Sequence, residues 1–340
     1  MSLRFAFIGF RHGHIKSLYN LVKSTDGLEL AAACEEDAAA RAELKAAGDV
    51  EITHSDYERM LDEVPCDVVA TGDYFAIRGH REIRALAAGK HVISDKPLCT
   101  SLEDLNEIER LSREKRLKVS CMLTQRGLGC TIGARERILG DEIGPIHAIA
   151  FGGQHPLMLG SRAAWYFEPG KHGGTITDIA IHAVDMIPWM TGLEFATVNA
   201  ARCWNAFAPE YPHFKDGAQM MLTMNNGCGV IGDVSYFMPN SAGYSLPYYW
   251  RTTFWGRKGV LEIAHKASGI HVVVDGDKEL NSRPLPAGRS GSYLHSFVRD
   301  IQGNLEEGDL DTQTVLKASR TVLTIQKAAD ENLHDIPLTR

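Results

Sequence analysis

The sequence predicts an α/β domain with a doubly wound parallel sheet, followed by an α+β domain on a mostly antiparallel, open-faced sheet. Over the first ~120 residues, short apolar runs alternate with helix-length amphipathic segments, the rhythm of βαβ units. After about residue 145 strand-like runs follow one another directly and are joined by hairpin signals. The length of 340 residues suits two domains at roughly 150 residues each.

In the first domain, residues 4–8 form an apolar run that stops at Gly9, and Leu18, Leu21 and Val22 follow at helical spacing. Residues 28–34, opened by Asp26-Gly27, make a second apolar run, and the Ala-rich 38–47 is helical. Asp67-Val68-Val69-Ala70 is the third strand. Residues 83–88 are helical and stop at Gly89, a residue suited to the left-handed conformation that ends helices. His91-Val92-Ile93 is the fourth strand and 117–122 the fifth. In the second domain, strands are expected at 196–202, 218–224, 230–236, 250–255, 260–263 and 270–274, with Asn226-Gly227 and Asp275-Gly276 as two-residue hairpin turns. Helices at 293–303 and 312–332 close the chain. The domains are expected to be 1–125 and 126–340, with a cleft where they meet and the final helices free to pack back on the first.

Lys plus Arg number 36 against 43 Asp plus Glu, a net charge of -7. A mildly acidic chain with no Lys/Arg run of four lacks the footprint that nucleic acid or an anionic membrane requires, so neither is expected as a partner. The N-terminal apolar run is too short for a signal-peptide core, and no stretch approaches the ~18 apolar residues of a membrane span. The cysteines, Cys34, Cys66, Cys99, Cys121, Cys130, Cys203 and Cys228, are odd in number and none is at C-x-x-C spacing. That argues against a zinc ribbon or a disulfide scaffold and for a reducing cytoplasm.

Gly9-Phe10-Arg11-His12-Gly13-His14 lies where a dinucleotide pyrophosphate meets the N–H groups at the start of a helix. Arg11 and His14 occupy the second and third glycine positions of G-x-G-x-x-G, so the segment reads equally as an ordinary turn. Arg11 crowds the backbone approach but could itself contact a phosphate. Glu35, 22 residues after Gly13, ends the second strand, where a carboxylate accepts hydrogen bonds from a ribose 2′-hydroxyl. The run Glu35-Glu36-Asp37 would repel a 2′-phosphate, which favours NAD over NADP if a dinucleotide binds; the alternative is a solvated acidic turn. In Asp95-Lys96-Pro97 the lysine follows the fourth strand and points into the ligand crevice, its backbone held extended by the proline. The bland reading is a surface lysine, and the Lys-Pro bond is a candidate cis turn.

A helix from about residue 175 places Asp178, His182 and Asp185 at i, i+4 and i+7, within about 60° of one another. Ile176, Ile179, Ala180, Ile181, Ala183, Val184 and Ile187 make the rest apolar, so the polar stripe lines a cleft or joins an internal network. A histidine beside a carboxylate can accept a proton; the competing reading is a satisfied buried pair. Trp165, Tyr166, Lys171 and His172 lie just upstream, with aromatic faces for sugar C–H surfaces and polar tips for hydroxyls or a carboxylate. His155 is a weaker substrate candidate, and Tyr248, Tyr249 and Trp250 read as sheet packing or an oligomer interface. His155, His172, His182 and Asp178 could surround a metal ion, but they lack tight ligand spacing and no metal is expected.

In this order the elements resemble the Gfo/Idh/MocA family, the glucose-fructose oxidoreductase and inositol dehydrogenase group. Asp67-Val68-Val69-Ala70-Thr71-Gly72-Asp73 with His80 is similar to its D-x-V-x-x-x-T-P-N…H segment. Residues 89–97 are similar to G-K-H-V-x-x-E-K-P, and 173–185 to G-G-x-x-x-D-x-x-x-H-x-x-D. Phe254-Trp255-Gly256-Arg257-Lys258-Gly259 resembles the G-x-x-G turn of its second domain. Gly72-Asp73 replaces Pro-Asn, and Asp95 replaces Glu. The resemblance implies an N-terminal Rossmann domain and a C-terminal sheet that makes homodimer or homotetramer contacts. It implies a nicotinamide cofactor, NAD first and NADP second, and a sugar, polyol or sugar derivative as substrate. Lys96, Asp178 and His182 fall on its catalytic positions. Gly9 to His14, Glu35, Thr71, Gly72, Asp73, His80, Asp95, Lys96, Pro97 and Gln125 fall on the cofactor side. The implied reaction is hydride transfer between a secondary alcohol and nicotinamide. The competing functions are a non-catalytic dinucleotide- or sugar-sensing regulator, and a redox-assisted hydrolase or isomerase that recycles its NAD.

Overall fold

Five strands form an all-parallel sheet: β1 (Leu3–Ile8), β2 (Leu28–Cys34), β3 (Val68–Thr71), β4 (His91–Ser94) and β5 (Val119–Cys121), in the order β2-β1-β3-β4-β5. The order reverses between β1 and β3, so the loops after these strands flank the crevice where ligands bind in doubly wound sheets. The helices between the strands are α1 (Ile15–Ser24), α2 (Ala38–Ala47), α3 (Tyr57–Glu63), α4 (Phe75–Ala87) and α5 (Leu102–Lys115). The computed structural model describes residues 2–338.

Local sequence sets the helix ends. Asp37 accepts from the Ala40 N–H to start α2, and Ser101 from the Asp104 N–H to start α5. Gly89, at φ 78, follows α4, and the Gly89 and Lys90 N–H groups bond back to Leu86 and Ala85, the Schellman pattern. Helix α4 begins at Phe75, well before the expected residue 83, while α3 and α5 were not expected at all. The Lys96-Pro97 peptide is cis.

Nine strands form a second sheet. They are β6 (Ile146–Pro156), β7 (Phe195–Trp204), β8 (Gly217–Met224), β9 (Gly229–Met238), β10 (Trp250–Gly256), β11 (Gly259–Ala264), β12 (Ile270–Val274), β13 (Asn281–Arg283) and β14 (Ile336–Pro337). Their order is β13-β12-β11-β10-β6-β9-β8-β7-β14; β6 pairs parallel with β9 and the other neighbours are antiparallel. The central β6 was not expected, nor were the edge strands β13 and β14. Along β6, Ile149, Phe151, Gly153 and His155 are buried and alternate with less buried residues. On the opposite face Ile231 is 61% and Met221 57% exposed. One face is thus a core and the other is open, as the sequence predicted. The Asn226-Gly227 turn joins β8 to β9, whereas Asp275-Gly276 opens a longer loop into β13.

The remaining helices are α6 (Gly129–Leu139), α7 (Ile181–Thr191), α8 (Ser292–Gln302) and α9 (Thr312–Glu331). The chain divides into two compact units. Among the described residues the first comprises 2–122, 170–173 and 293–319, and the second 123–169, 174–292 and 320–338. Residues 170–173 and 293–319 therefore group with the parallel sheet. No helix among the described residues is long and apolar enough to cross a membrane.

Candidate active site

In the first unit, the loops after β1 and β3 lock onto each other. The Gly72 N–H donates to Ile8 O (2.8 Å) and the Asp73 N–H to Gly9 O (3.2 Å). A Cβ on Gly72 would sit 2.1 Å from Gly9 O, so only glycine fits there. Arg11 does not reach outward. Its guanidinium pairs with both carboxylate oxygens of Asp73 (2.6 and 3.0 Å) and lies 4.5 Å from the Tyr74 ring centroid. Lys171 lies over the same ring at 5.1 Å. Nothing stands within 4 Å of a Cβ built on Gly13.

Glu35 departs from the ribose-facing position expected of it. It is 0% exposed, and its oxygens accept the Phe10 N–H (2.6 Å) and the Asp37 N–H (2.9 Å). Burial raises its carboxyl above the usual range. The exposed acid at this strand end is Glu36. His80 is also displaced from expectation: it is solvent-exposed on α4, turned away from the buried Arg78 and Glu82.

Arg78 is the residue that sequence reasoning missed. It is fully buried and donates to the carbonyls of Gly72 (2.9 Å), Asp73 (2.9 Å), Asp95 (2.8 Å), Lys96 (2.6 Å) and Pro97 (3.2 Å), and to Asp95 Oδ2 (3.1 Å). One guanidinium thus fixes the loops after β3 and β4, including the backbone of Lys96. Beside it the buried Phe75 ring collects His12 (5.1 Å), His172 (5.4 Å) and Lys96 Nζ (5.9 Å). Lys96 and His172 therefore share one aromatic neighbour.

His12 Nδ1 bonds to Asp95 Oδ2. Burial pushes the His12 imidazole down to about 4 despite that carboxylate. Burial alone would raise Asp95, but His12 and Arg78 hold it well below the usual carboxylate range. An unfolded histidine titrates near ~6.5, so between that pH and about 4 the unfolded chain binds more protons. Stability present above ~6.5 is then lost as the pH falls, and Asp95 adds a loss of the same sign at lower pH. The melting temperature should fall over this window and His12→Asn should flatten the fall; identical slopes would exclude His12 as the group responsible. His12, His14 and Asp95 also form the one cluster among the described residues tight enough to hold a metal ion, with ligand atoms within 4.8 Å. It is not the set the sequence suggested, and Arg78 already sits on the same Asp95 oxygen as His12.

In the second unit, a π-helical turn over Ile176–Ala180 precedes α7, where one continuous α-helix was expected. Such turns recur at functional sites. Gln326 Oε1 caps its start, accepting the Ile176 (3.0 Å) and Thr177 (3.3 Å) N–H groups. Asp178 (2% exposed) lies in the turn and His182 (5%) in the first turn of α7. The Tyr236 hydroxyl, from β9, bonds to Asp178. Burial, reinforced by Asp178, drives this phenol well above its ordinary value, so it stays protonated and donates. Asp185 instead forms a buried bidentate pair with Arg126 (2.6–3.0 Å); burial raises it although Arg126 opposes the shift.

The inner face of the sheet supplies the surroundings. Trp250 lies 5.8 Å from the His182 ring, and His155 lies 6.1 Å from Trp250 and 6.2 Å from Tyr236. Tyr166 is buried against Trp165, their rings 4.2 Å apart. Gln125 is buried in the 3₁₀ turn Thr124–Gly127. Lys96, Lys171 and His172 belong to the first unit, whereas Gln125, His155, Trp165, Tyr166, Asp178 and His182 belong to the second.

A doubly wound parallel sheet, together with a buried Asp178 and His182 on a π turn and helix beside a second sheet, is the arrangement of a Rossmann-type domain joined to an α+β domain. Comparison with known proteins specifies it. Residues 3–123 match the oxidoreductase family with an NAD-binding Rossmann fold, and residues 132–262 match the GFO/IDH/MocA C-terminal domain. The chain belongs to the Gfo/Idh/MocA family. It is 28% identical over 185 residues to the levoglucosan dehydrogenase of Pseudarthrobacter phenanthrenivorans, covering 53% of this chain and 46% of that protein. The chain thus spans under half the length of that relative. It is 26% identical over 298 residues to inositol 2-dehydrogenase 2 of Saccharopolyspora erythraea, covering 87% and 81% of the two chains. The WlbA dehydrogenase of Bordetella pertussis, solved with NADH and UDP-GlcNAcA, shares the fold. Its TM-score is 0.79 at 19% identity, with 100% of each chain covered.

Proposed function

We propose that the protein is an NAD-dependent dehydrogenase that oxidises a secondary alcohol of a sugar, a polyol or a sugar derivative. The observation that carries this reading is the burial of Asp178 and His182 on a largely apolar helix whose other carboxylate, Asp185, is paired with Arg126, in a family of NAD-binding oxidoreductases. The relatives named for levoglucosan and inositol support the substrate class. The loop from Gly9 to His14 and the Gly72-Asp73 turn would hold the dinucleotide, whose nicotinamide supplies the hydride acceptor.

In this reading His182 removes the hydroxyl proton while the carbon gives up its hydride. Asp178 supports the cationic imidazole, and Tyr236 fixes Asp178 by its hydrogen bond. Lys96 Nζ stabilises the developing alkoxide, its backbone pinned by Arg78. The odd number of cysteines, none at C-x-x-C spacing, suits a cytoplasmic setting.

With Glu35 sealed in the loop, the preference for NAD rests on the acidic run as a whole. A screen of polyols, aldoses and sugar acids with both cofactors should release stoichiometric NADH, with kcat/KM for NAD on the order of 10-fold or more above that for NADP. Comparable values would remove the NAD preference. Product without net NADH would replace the dehydrogenase with a redox-recycling enzyme.

A further inference from the structure

From the geometry around Arg162 we infer that the second unit is built to take a carboxylate-bearing substrate, a sugar acid rather than a neutral sugar; this rests on the dehydrogenase reading above. Arg162 is partly buried in the aromatic cluster next to Asp178. Its guanidinium lies 4.7 Å from the Tyr166 ring centroid and 5.8 Å from that of Tyr236. Tyr236 is the phenol that bonds to Asp178. The charge therefore sits one ring away from the proposed proton-transfer pair.

Its partners orient it without neutralising it. Nε donates to Leu157 O (2.9 Å), Nη2 to Pro156 O (2.6 Å), and Tyr244 supplies a further hydrogen bond. Among the described residues no carboxylate forms an ion pair with Arg162. Cations removed from water in proteins are normally paired, because an unpaired one bears its desolvation cost alone. Two carbonyls and two phenol faces hold this guanidinium in one orientation, and an incoming carboxylate would complete it with charge-assisted hydrogen bonds. A single guanidinium with aromatic walls suits a planar carboxylate; a phosphate ester would recruit more cations than this group offers.

The test compares matched substrates: D-gluconate with D-sorbitol, D-glucuronate with D-glucose, and D-glucose 6-phosphate as the phosphate arm. Turnover is measured with NAD on the wild-type chain and on Arg162→Gln and Arg162→Lys. Binding is measured by calorimetry on the His182→Ala chain with and without Arg162→Gln. Acids should exceed their neutral partners on the order of 10-fold in kcat/KM and in affinity, Arg162→Gln should erase that ratio, and Arg162→Lys should keep part of it. Neutral substrates turned over as well as acids would overturn the inference and leave the dehydrogenase standing. An equal loss for acids and neutral partners in Arg162→Gln would make Arg162 a purely structural staple, and a preference for the phosphate ester would overturn the carboxylate assignment. Acid binding lost in Arg162→Gln without turnover of any substrate would sustain the inference and overturn the redox reading.

Discussion

Replacing His182 by alanine is expected to lower turnover by about 10²–10⁴-fold while dinucleotide affinity changes little. The imidazole is buried in the first turn of α7, its ring 5.8 Å from that of Trp250. An unperturbed imidazole can accept a proton near neutral pH and release it again. Its loss removes an interaction that matters in the transition state, so kcat should fall far more than KM rises. Nicotinamide nucleotide binding is measured separately by fluorescence titration. Turnover within 10-fold of wild type in His182→Ala would dismiss the general-base role. Asp178→Asn should lose less, since Tyr236 can still hold the amide in place.

Arg78→Met should be the most destabilising single change in the first unit. The wild-type guanidinium satisfies five backbone carbonyls and shares Asp95 with His12, wholly out of water. Methionine has similar length but no donor, and it strands those acceptors and the Asp95 charge in the interior. Breaking a buried pair in this way costs about 3–5 kcal/mol. Arg78→Lys keeps the charge but cannot span both loops, so it should fall between. Denaturant unfolding measures both. A loss below about 1 kcal/mol for Arg78→Met would show that the loops hold their shape without it. Because Arg78 bonds to Lys96 O and also to the Gly72 and Asp73 carbonyls, folded Arg78→Lys protein should lose both turnover and dinucleotide affinity.

The parallel sheet was legible in the chain because its strands are largely buried and read as short, mainly apolar runs, interrupted only by residues such as Arg4 and Glu29. The open sheet was legible wherever β-branched and aromatic residues alternate, as along β10. It failed at β6, whose sequence is IHAIAFGGQHP. A Cβ at Gly153 would sit 2.8 Å from the Trp250 ring and 3.1 Å from Ile179, so the packing that makes β6 central demands a small residue that reads as loop. Helix α5 went unread although its signal is local, with Ser101 as cap and Leu105, Ile108 and Leu111 at helical spacing. The helix bearing Asp178 and His182 was visible from its polar stripe, but its π turn was not, because nothing local marks an inserted residue. Arg78, Arg162 and Tyr236 were invisible for one shared reason. Each looks like an ordinary helix, loop or strand residue until residues 17 to 74 positions away in the sequence supply partners.

The glycine loop of the first unit is tied down on two sides, by Glu35 on the Phe10 amide and by Asp73 on Arg11. Its conformational freedom is therefore surrendered when the chain folds, not when a nucleotide arrives. Association should then be fast and leave the loop's backbone in place, and amide exchange at Phe10 should already be slow in the free protein.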